Sequence, residues 1–251
     1  MHLRDKMMHH GILMQDPMIA KFLPETIWYN HENLHKMLDR YPVLYLKPNN
    51  KSGGEGIIRV KSTGGSNYLI TFESTNKNVH KTALSVELDK IILNPKKYII
   101  QQGIELSTYK NKPFDIRIVL QKVYETWRLT LTSAKVAVYS DSIVTNVSKG
   151  AKDYLLHEVL EKYDQKQNPM ATFREIIDLS HQIATKLGKK IPVRIIGLDL
   201  ALDVRGNIWY IESNTEPACQ QCMLVNDHIS VSKYTYITKI QNQSKTNKKQ
   251  K

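Results

Sequence analysis

Apolar and polar positions alternate with two different periods along this 251-residue chain. Residues 1–26 are rich in Met and His and show neither period, which reads as a partly ordered leader. Asn30–Asp39 has a helical period: Leu34, Met37 and Leu38 share one face, and Asn30 is a natural N-cap. From Tyr41 the texture changes to short strands and turns, with Val43–Lys47, Ile57–Lys61, Tyr68–Phe72 and Tyr98–Gln101 as strands and residues 80–92 as a helix. Phe114–Lys122 and Trp127–Tyr139 alternate over longer stretches, as antiparallel strands do. Tyr154–Tyr163 and Phe173–Leu187 return to the helical period. In the second, Phe173, Ile176, Ile177, Ile183, Ala184 and Leu187 form one stripe, with Gly188 placed as a C-cap. Leu198–Val204 and Ile208–Ile211 are strands flanking Arg205-Gly206, and residues 224–240 form a weaker final helix. The class is α+β with substantial antiparallel sheet. The chain divides into a leader and helix over 1–40, a main domain over 41–240 and a tail over 241–251.

Composition narrows the classes of function. The longest uninterrupted apolar runs are four residues, such as Val43–Leu46, too short to cross a bilayer, and the first ten residues carry no signal core. A cytoplasmic protein is expected. Thirty-six Lys and Arg against twenty-four Asp and Glu give a net charge of +12, a balance that favours an anionic partner. Five of the lysines lie from Lys239 onward without an acid among them. Without that stretch, read as disordered, about +7 remains. No nucleic-acid motif accompanies the charge, so a nucleic-acid partner is not expected. Cys219 and Cys222 form a single CxxC, half a zinc site at best, and read as ordinary reduced thiols. His2, His9 and His10 lack ligand spacing and read as surface residues.

Three constellations carry chemistry. In the first, a strand ends in Lys47-Pro48 and the loop Ser52-Gly53-Gly54-Glu55-Gly56 leads into the next strand. Glycines let backbone N–H groups approach phosphate oxygens while a lysine supplies charge, although the same pattern fits a plain Gly-rich hairpin. It is not a P-loop, since GxxxxGK[ST] is absent. In the second, Gly197–Asn214 folds as a hairpin. With a loop of two or four residues, Asp199 lies directly across from Glu212, and Asn214 shares the Glu212 face by period two. Opposed carboxylates repel, and a magnesium ion bound by Asp199, Glu212 and Asn214 removes that repulsion. A solvent-facing acidic pair is the alternative, opposed by the apolar neighbours Leu198, Leu200, Ile208 and Ile211. In the third, Asp115 and Arg117 face the same way on a strand, so that the carboxylate can orient the arginine towards a phosphate; on this motif alone a surface ion pair is the favoured reading.

The ordered set Lys47-Pro48, Ser52–Gly56, Ile100–Ile104, Asp115–Arg117, Thr145–Gly150, Gly197–Asp199 and Glu212–Pro217 resembles the ATP-grasp superfamily. The likeness runs from about Leu23 to Leu224 and points to the spore-coat-associated YheC/YheD branch, with a wider likeness to RimK-type ligases. It implies two α+β subdomains with antiparallel sheets clamping ATP, and a pre-ATP-grasp domain that is largely absent, reduced to about 40 residues. Lys47, Ser52, Gly53, Gly54 and Gly56 would hold phosphates; Gln101, Gln102, Gly103 and Ile104 would form the adenine hinge; Asn146 and Lys149 would lie nearby. Asp199, Glu212 and Asn214 would bind Mg2+ on the phosphates, and Arg117 and Lys135 would steady the transferred phosphoryl group. The implied reaction is an ADP-forming carboxylate–amine (or thiol) ligation through an acyl phosphate, acting in spore coat formation, on carboxylate and amine substrates that include peptides or acidic polymers, with a coat protein as a partner. A nucleotide-binding coat component without turnover is the alternative. Two loop positions depart from the family pattern, Lys51 for a glycine and Glu55 for a basic residue, and Lys135 stands where arginine is usual.

Overall fold

The computed structural model describes residues 3–145, 147–165 and 168–249, with backbone alone for Ser148 and 244–249. The expected leader is ordered. Helices α1 (Lys6–Met14) and α2 (Pro17–Ala20) occupy it, α2 opening at Pro17 with Asp16 accepting from Met18 N–H at 3.1 Å. Periodicity missed α2 because four residues are too few to repeat a stripe, and α1 because its Met- and His-rich sequence sets no polar face against an apolar one. His9, read as a surface residue, is buried at 1% exposure, while His2 lies outside the described residues.

The chain forms two compact units. The first comprises residues 1–11 and 23–105. It contains β1 (Thr26–Trp28), α3 (His31–Leu38), β2 (Val43–Pro48), β3 (Ile58–Gly64), β4 (Asn67–Phe72), β5 (Thr75–His80), α4 (Lys81–Ile91) and β6 (Tyr98–Gln102). Its six strands run in the order β1-β6-β2-β3-β4-β5, every pair antiparallel. Asn30 caps α3 as the sequence suggests, its side chain accepting from Asn33 N–H at 2.7 Å. One sheet face, including Leu44, Leu46, Ile58, Val60 and Ile70, packs in one core with Leu34 and Met37 of α3 and Leu84 and Leu88 of α4.

The second unit comprises residues 12–22 and 106–251. Its elements after α2 are β7 (Thr108–Tyr109), β8 (Lys112–Val123), β9 (Thr126–Val136), β10 (Lys152–Tyr154), α5 (Leu156–Lys162), α6 (Pro169–Gly188), β11 (Ile195–Leu202), β12 (Ile208–Asn214), α7 (Gln220–Leu224) and α8 (His228–Lys249). The sheet order is β10-β9-β8-β11-β12, with β7 paired to β8. Phe22 belongs here because its carbonyl accepts Tyr210 N–H at 2.8 Å.

Three local expectations are corrected. Tyr154 closes strand β10, and the helix begins two residues later. Gly188 is the last residue of α6 rather than its cap; Lys189, in the right-handed helical region, is the cap. A Cβ at Gly188 would stand 2.7 Å from the Trp127 ring, so close packing is what a glycine serves there. The final helix α8 runs on to Lys249, its backbone ladder continuing into the stretch that composition marked as disordered. No helix among the described residues is long and apolar enough to cross a membrane.

Candidate functional site

The second unit's sheet brings six charged side chains onto one face. Across the strands, Ser133, Arg117, Asp199 and Glu212 oppose one another on β9, β8, β11 and β12. One step along, Asp153, Lys135 and Asp115 oppose one another on β10, β9 and β8. Positions two apart share a face, so the two rows adjoin. Arg117 grips Asp199 with two parallel bonds, Nε to Oδ1 at 2.6 Å and Nη2 to Oδ2 at 3.2 Å. The Lys135 ammonium lies 3.0 Å from Asp115 Oδ1 and 3.1 Å from Asp199 Oδ1. The other Asp115 oxygen accepts from the Thr145 hydroxyl.

Burial sets the electrostatics. It pushes Asp115 up to about 6, against the pull of Lys135. It works the same way on Asp199, yet Arg117 and Lys135 together outweigh it and hold that carboxyl below its ordinary value. It disfavours charge on Lys135 as well, and Asp115 and Asp199 outweigh it, so the ammonium is retained. The sequence paired Asp115 with Arg117. The structure instead gives each cation a different first partner.

The opposition of Asp199 and Glu212 holds, but by another route than a short loop. The last regular pair of the hairpin is Leu202 with Ile208, leaving five residues, Asp203–Asn207, in the turn. Continuing that register would set Ile211 across from Asp199. A β-bulge between Asp199 and Leu200 shifts the pairing by one and brings Glu212 there instead. Asn214 then opposes Gly197. Gly197 is itself required by close approach, since a Cβ would stand 2.7 Å from Pro217 and 3.3 Å from Arg117 Nη1.

The donor set suits a hard cation. Asp199 takes three donors, where a carboxylate offers about four acceptor positions. Asn214 Oδ1 accepts one bond, from Glu216 N–H at 2.9 Å, and keeps its second lone pair. Among the described residues no group of three or more His, Cys, Asp or Glu side chains is gathered in metal-binding fashion, so a cation here would rest on two carboxylates and one amide oxygen. Lys149 closes a short 3-10 turn and is exposed, with no ion pair to the cluster among the described residues, and Asn146 lies outside them. Cys219 and Cys222 are free and buried, and burial pushes both thiols up, Cys222 to about 12.

In the first unit, Gly53, Gly54 and Gly56 all have φ between 72° and 74°, left-handed backbone that favours glycine. Ser52 precedes them, exposed. The two departures from the family pattern answer each other, for Lys51 and Glu55 form an ion pair across the loop. Lys47 is buried and donates to Gln101 Oε1 at 2.6 Å, and Gln101 donates to Thr26 Oγ1 at 3.2 Å. Of the expected hinge, Gln102 N–H and Gly103 N–H donate to the Glu25 and Val43 carbonyls, and Ile104 follows half-buried. Two cations escaped the sequence reading. Lys6 donates to the carbonyls of Pro48 and Lys51 at either end of the loop. Arg59 sits in a polar row, Thr26–Gln101–Tyr45–Arg59–Thr71–Asn76, that crosses all six strands. Lys6 was hidden by the aperiodic leader. Arg59 was hidden because a lone arginine in a strand carries no motif.

A family model described as YheC/D-like ATP-grasp matches residues 2–239. The chain belongs to that family. It is 28% identical over 219 residues to the endospore coat-associated protein YheD of Bacillus subtilis (strain 168), covering 83% of this chain and 47% of the relative. To the endospore coat-associated protein YheC of the same strain it is 24% identical over 230 residues, covering 89% and 62%. The chain thus spans about half to three-fifths of the length of these relatives. The fold is that of ATP-grasp ligases. The D-Ala:D-Ser ligase VanG of Enterococcus faecalis aligns at TM-score 0.53 and 14% identity, over 85% of this chain and 52% of that one. An L-amino acid ligase from Bacillus licheniformis aligns at 0.51 and 16%, over 86% and 41%.

Proposed function

We propose that this protein is an ATP- and Mg2+-dependent, ADP-forming carboxylate–amine ligase. The observation that carries the reading is the buried Arg117–Asp199–Lys135–Asp115 cluster with Glu212 opposed to Asp199, in a chain of this family. In it, Lys47 and the amides of Ser52–Gly56 hold phosphates, and the Gln101–Ile104 segment borders the adenine. Asp199, Glu212 and Asn214 hold magnesium, which neutralises phosphate charge. Arg117 and Lys135 steady the phosphoryl group as it passes from ATP to a substrate carboxylate, and an amine then opens the acyl phosphate. No protein nucleophile is needed, because positioning and charge neutralisation do most of the work in phosphoryl transfer. The net charge of +12 supports an acidic acceptor such as a peptide or an anionic polymer, and the coat-associated relatives support a role in the spore coat.

The test is ADP release from Mg-ATP with a panel of amino acids, peptides and acidic polymers. One member of the panel should stimulate release, and the D199A variant should not respond to it. Demonstrable Mg-ATP binding without stimulation by any member would instead favour a second reading, a nucleotide-binding coat component without turnover. The observation on that side is that both Asp199 oxygens are already engaged by cations of the chain.

A further inference from the structure

Asp115 lies 8% exposed, and among the described residues its side-chain oxygens pair with Lys135 and Thr145 rather than with a proposed metal ligand or Arg117. Its two oxygens divide between two elements: Oδ1 faces the Lys135 ammonium at 3.0 Å, and Oδ2 accepts from the Thr145 hydroxyl. Lys135 has a second acidic neighbour across the strands, Asp153 on β10. That carboxylate accepts from Ser133 Oγ at 2.5 Å, and among the described residues it makes no ion pair with Lys135. The remaining anion, Asp199, is shared with Arg117, whose fork takes both of its oxygens. Without the charge on Asp115, a buried, flexible ammonium would have to compete with a rigid bidentate guanidinium for one carboxylate.

We propose that Asp115, held by Thr145, is a positioning residue that fixes the Lys135 ammonium beside Asp199. The assignment concerns Lys135 itself and adds to the role given that lysine above, so it rests on the proposed function only where nucleotide is concerned. Thr145 anchors the carboxylate, and the carboxylate sets the ammonium. Lys135 then meets a phosphoryl group from a fixed point.

Two measurements test this on the 251-residue chain. The first needs no nucleotide: the side-chain ammonium resonance of Lys135 in protein labelled with 15N-lysine. A buried, paired ammonium exchanges slowly and gives a distinct signal. In D115N that signal should be lost or displaced while the backbone amide spectrum stays folded. T145V should displace it less, and T145S, which keeps the hydroxyl, should restore it. A Lys135 signal unmoved in D115N overturns the proposal. Should D115N not fold, T145V decides alone, and an unmoved signal there overturns it equally.

The second measurement is calorimetric binding of Mg-ATP and Mg-ADP. K135M should reduce the preference for Mg-ATP by about tenfold, the scale of one charge-assisted contact. D115N should reproduce that loss and leave Mg-ADP binding intact, a pattern that general loosening of the fold does not give. D115N that weakens both nucleotides alike, or that spares a preference K135M removes, overturns the positioning role. If K135M itself leaves the preference unchanged, it is the proposed function of Lys135 that fails, and the ammonium resonance still decides what Asp115 does.

Discussion

Asp199 is where stability and chemistry press on the same side chain. Its carboxylate holds two cations, Lys135 buried and Arg117 largely enclosed, and breaking a buried pair from one side costs about 3–5 kcal/mol because it strands the partner charge. Glu212 is half-buried at the opposed position. The two proposed metal ligands should therefore separate in experiment. D199A should lose magnesium-dependent ATP binding together with a large part of its folding stability. E212Q should lose the same binding with a stability change of about 1 kcal/mol or less. Urea unfolding beside calorimetric titration of Mg-ATP reads both, and E212Q binding Mg-ATP as tightly as the wild type would remove Glu212 from the metal set. Asp115 gives a pH signature. Its value in the folded protein, about 6, lies above the ordinary 3.8. Between those values the folded protein keeps a proton that the unfolded chain has released, so this group's contribution to stability falls as pH rises through the window and levels off above it. The stability of the wild type relative to D115N should decline from about pH 4 to pH 6. An increase over that range would mean that the pull of Lys135 exceeds the cost of burial. Period two put Asp115 with Arg117 and hairpin register put Asp199 across from Glu212, whereas Lys135 entered only through the family resemblance and Asp153 carried no signal. Who pairs with whom was not legible, because period two assigns a face to Asp115 and Arg117 but cannot choose among partners on neighbouring strands.

Elements were legible where apolar and polar positions alternated clearly, which they do not in α1 or in β5 (TNKNVH), and element ends were not. The cap at Asn30 and the apolar residues of α3 stand as the pattern indicates, and of the six stripe residues in α6 Ile176, Ile183, Ala184 and Leu187 are buried while Phe173 and Ile177 are half-buried. The short elements α2, β7 and β10 hold too few residues to repeat, so tertiary pairing decides them, whereas α1 is longer than α3 but its Met- and His-rich sequence sets no polar face against an apolar one. The hairpin of β11 and β12 teaches a different point. Its key opposition was reached by assuming a short turn, whereas the chain uses a five-residue turn and a bulge whose two shifts cancel at Asp199 and Glu212. Gly188 shows how a sequence signal can be right about the residue and wrong about the reason. A cap glycine tolerates Asn, and a helix-interior glycine gains from Ala. A glycine facing the Trp127 ring, where a Cβ would sit at 2.7 Å, tolerates neither. Both G188A and G188N should lower stability by about 1–3 kcal/mol through overpacking, measured by chemical denaturation. A stabilised G188A would show that the indole ring moves aside at little cost.

At the scale of the whole molecule, the charge of +12 and the buried cations answer to different physics. Lys47, Arg117 and Lys135 are wholly or largely enclosed and already paired with Gln101, Asp199 and Asp115, so salt screens them weakly. The exposed lysines, Lys149 among them, are screened over a Debye length of about 8 Å at physiological ionic strength. If the first set serves ATP and the second attracts an acidic acceptor, the two binding events must respond differently to salt. Mg-ATP at about 100 times its dissociation constant should stabilise the fold by about 2.7 kcal/mol, which for a protein of this size raises the melting temperature by roughly 5–10 °C. That shift should require magnesium, vanish in K47M, and survive an increase from low to physiological salt. Stimulation of ADP release by an acidic peptide should instead weaken steeply over the same range through a rise in KM, with kcat little changed. Equal salt sensitivity of the two would leave the surface charge with no separate role in substrate capture. A peptide KM indifferent to salt would place acceptor recognition on uncharged contacts, against the expectation drawn from the +12.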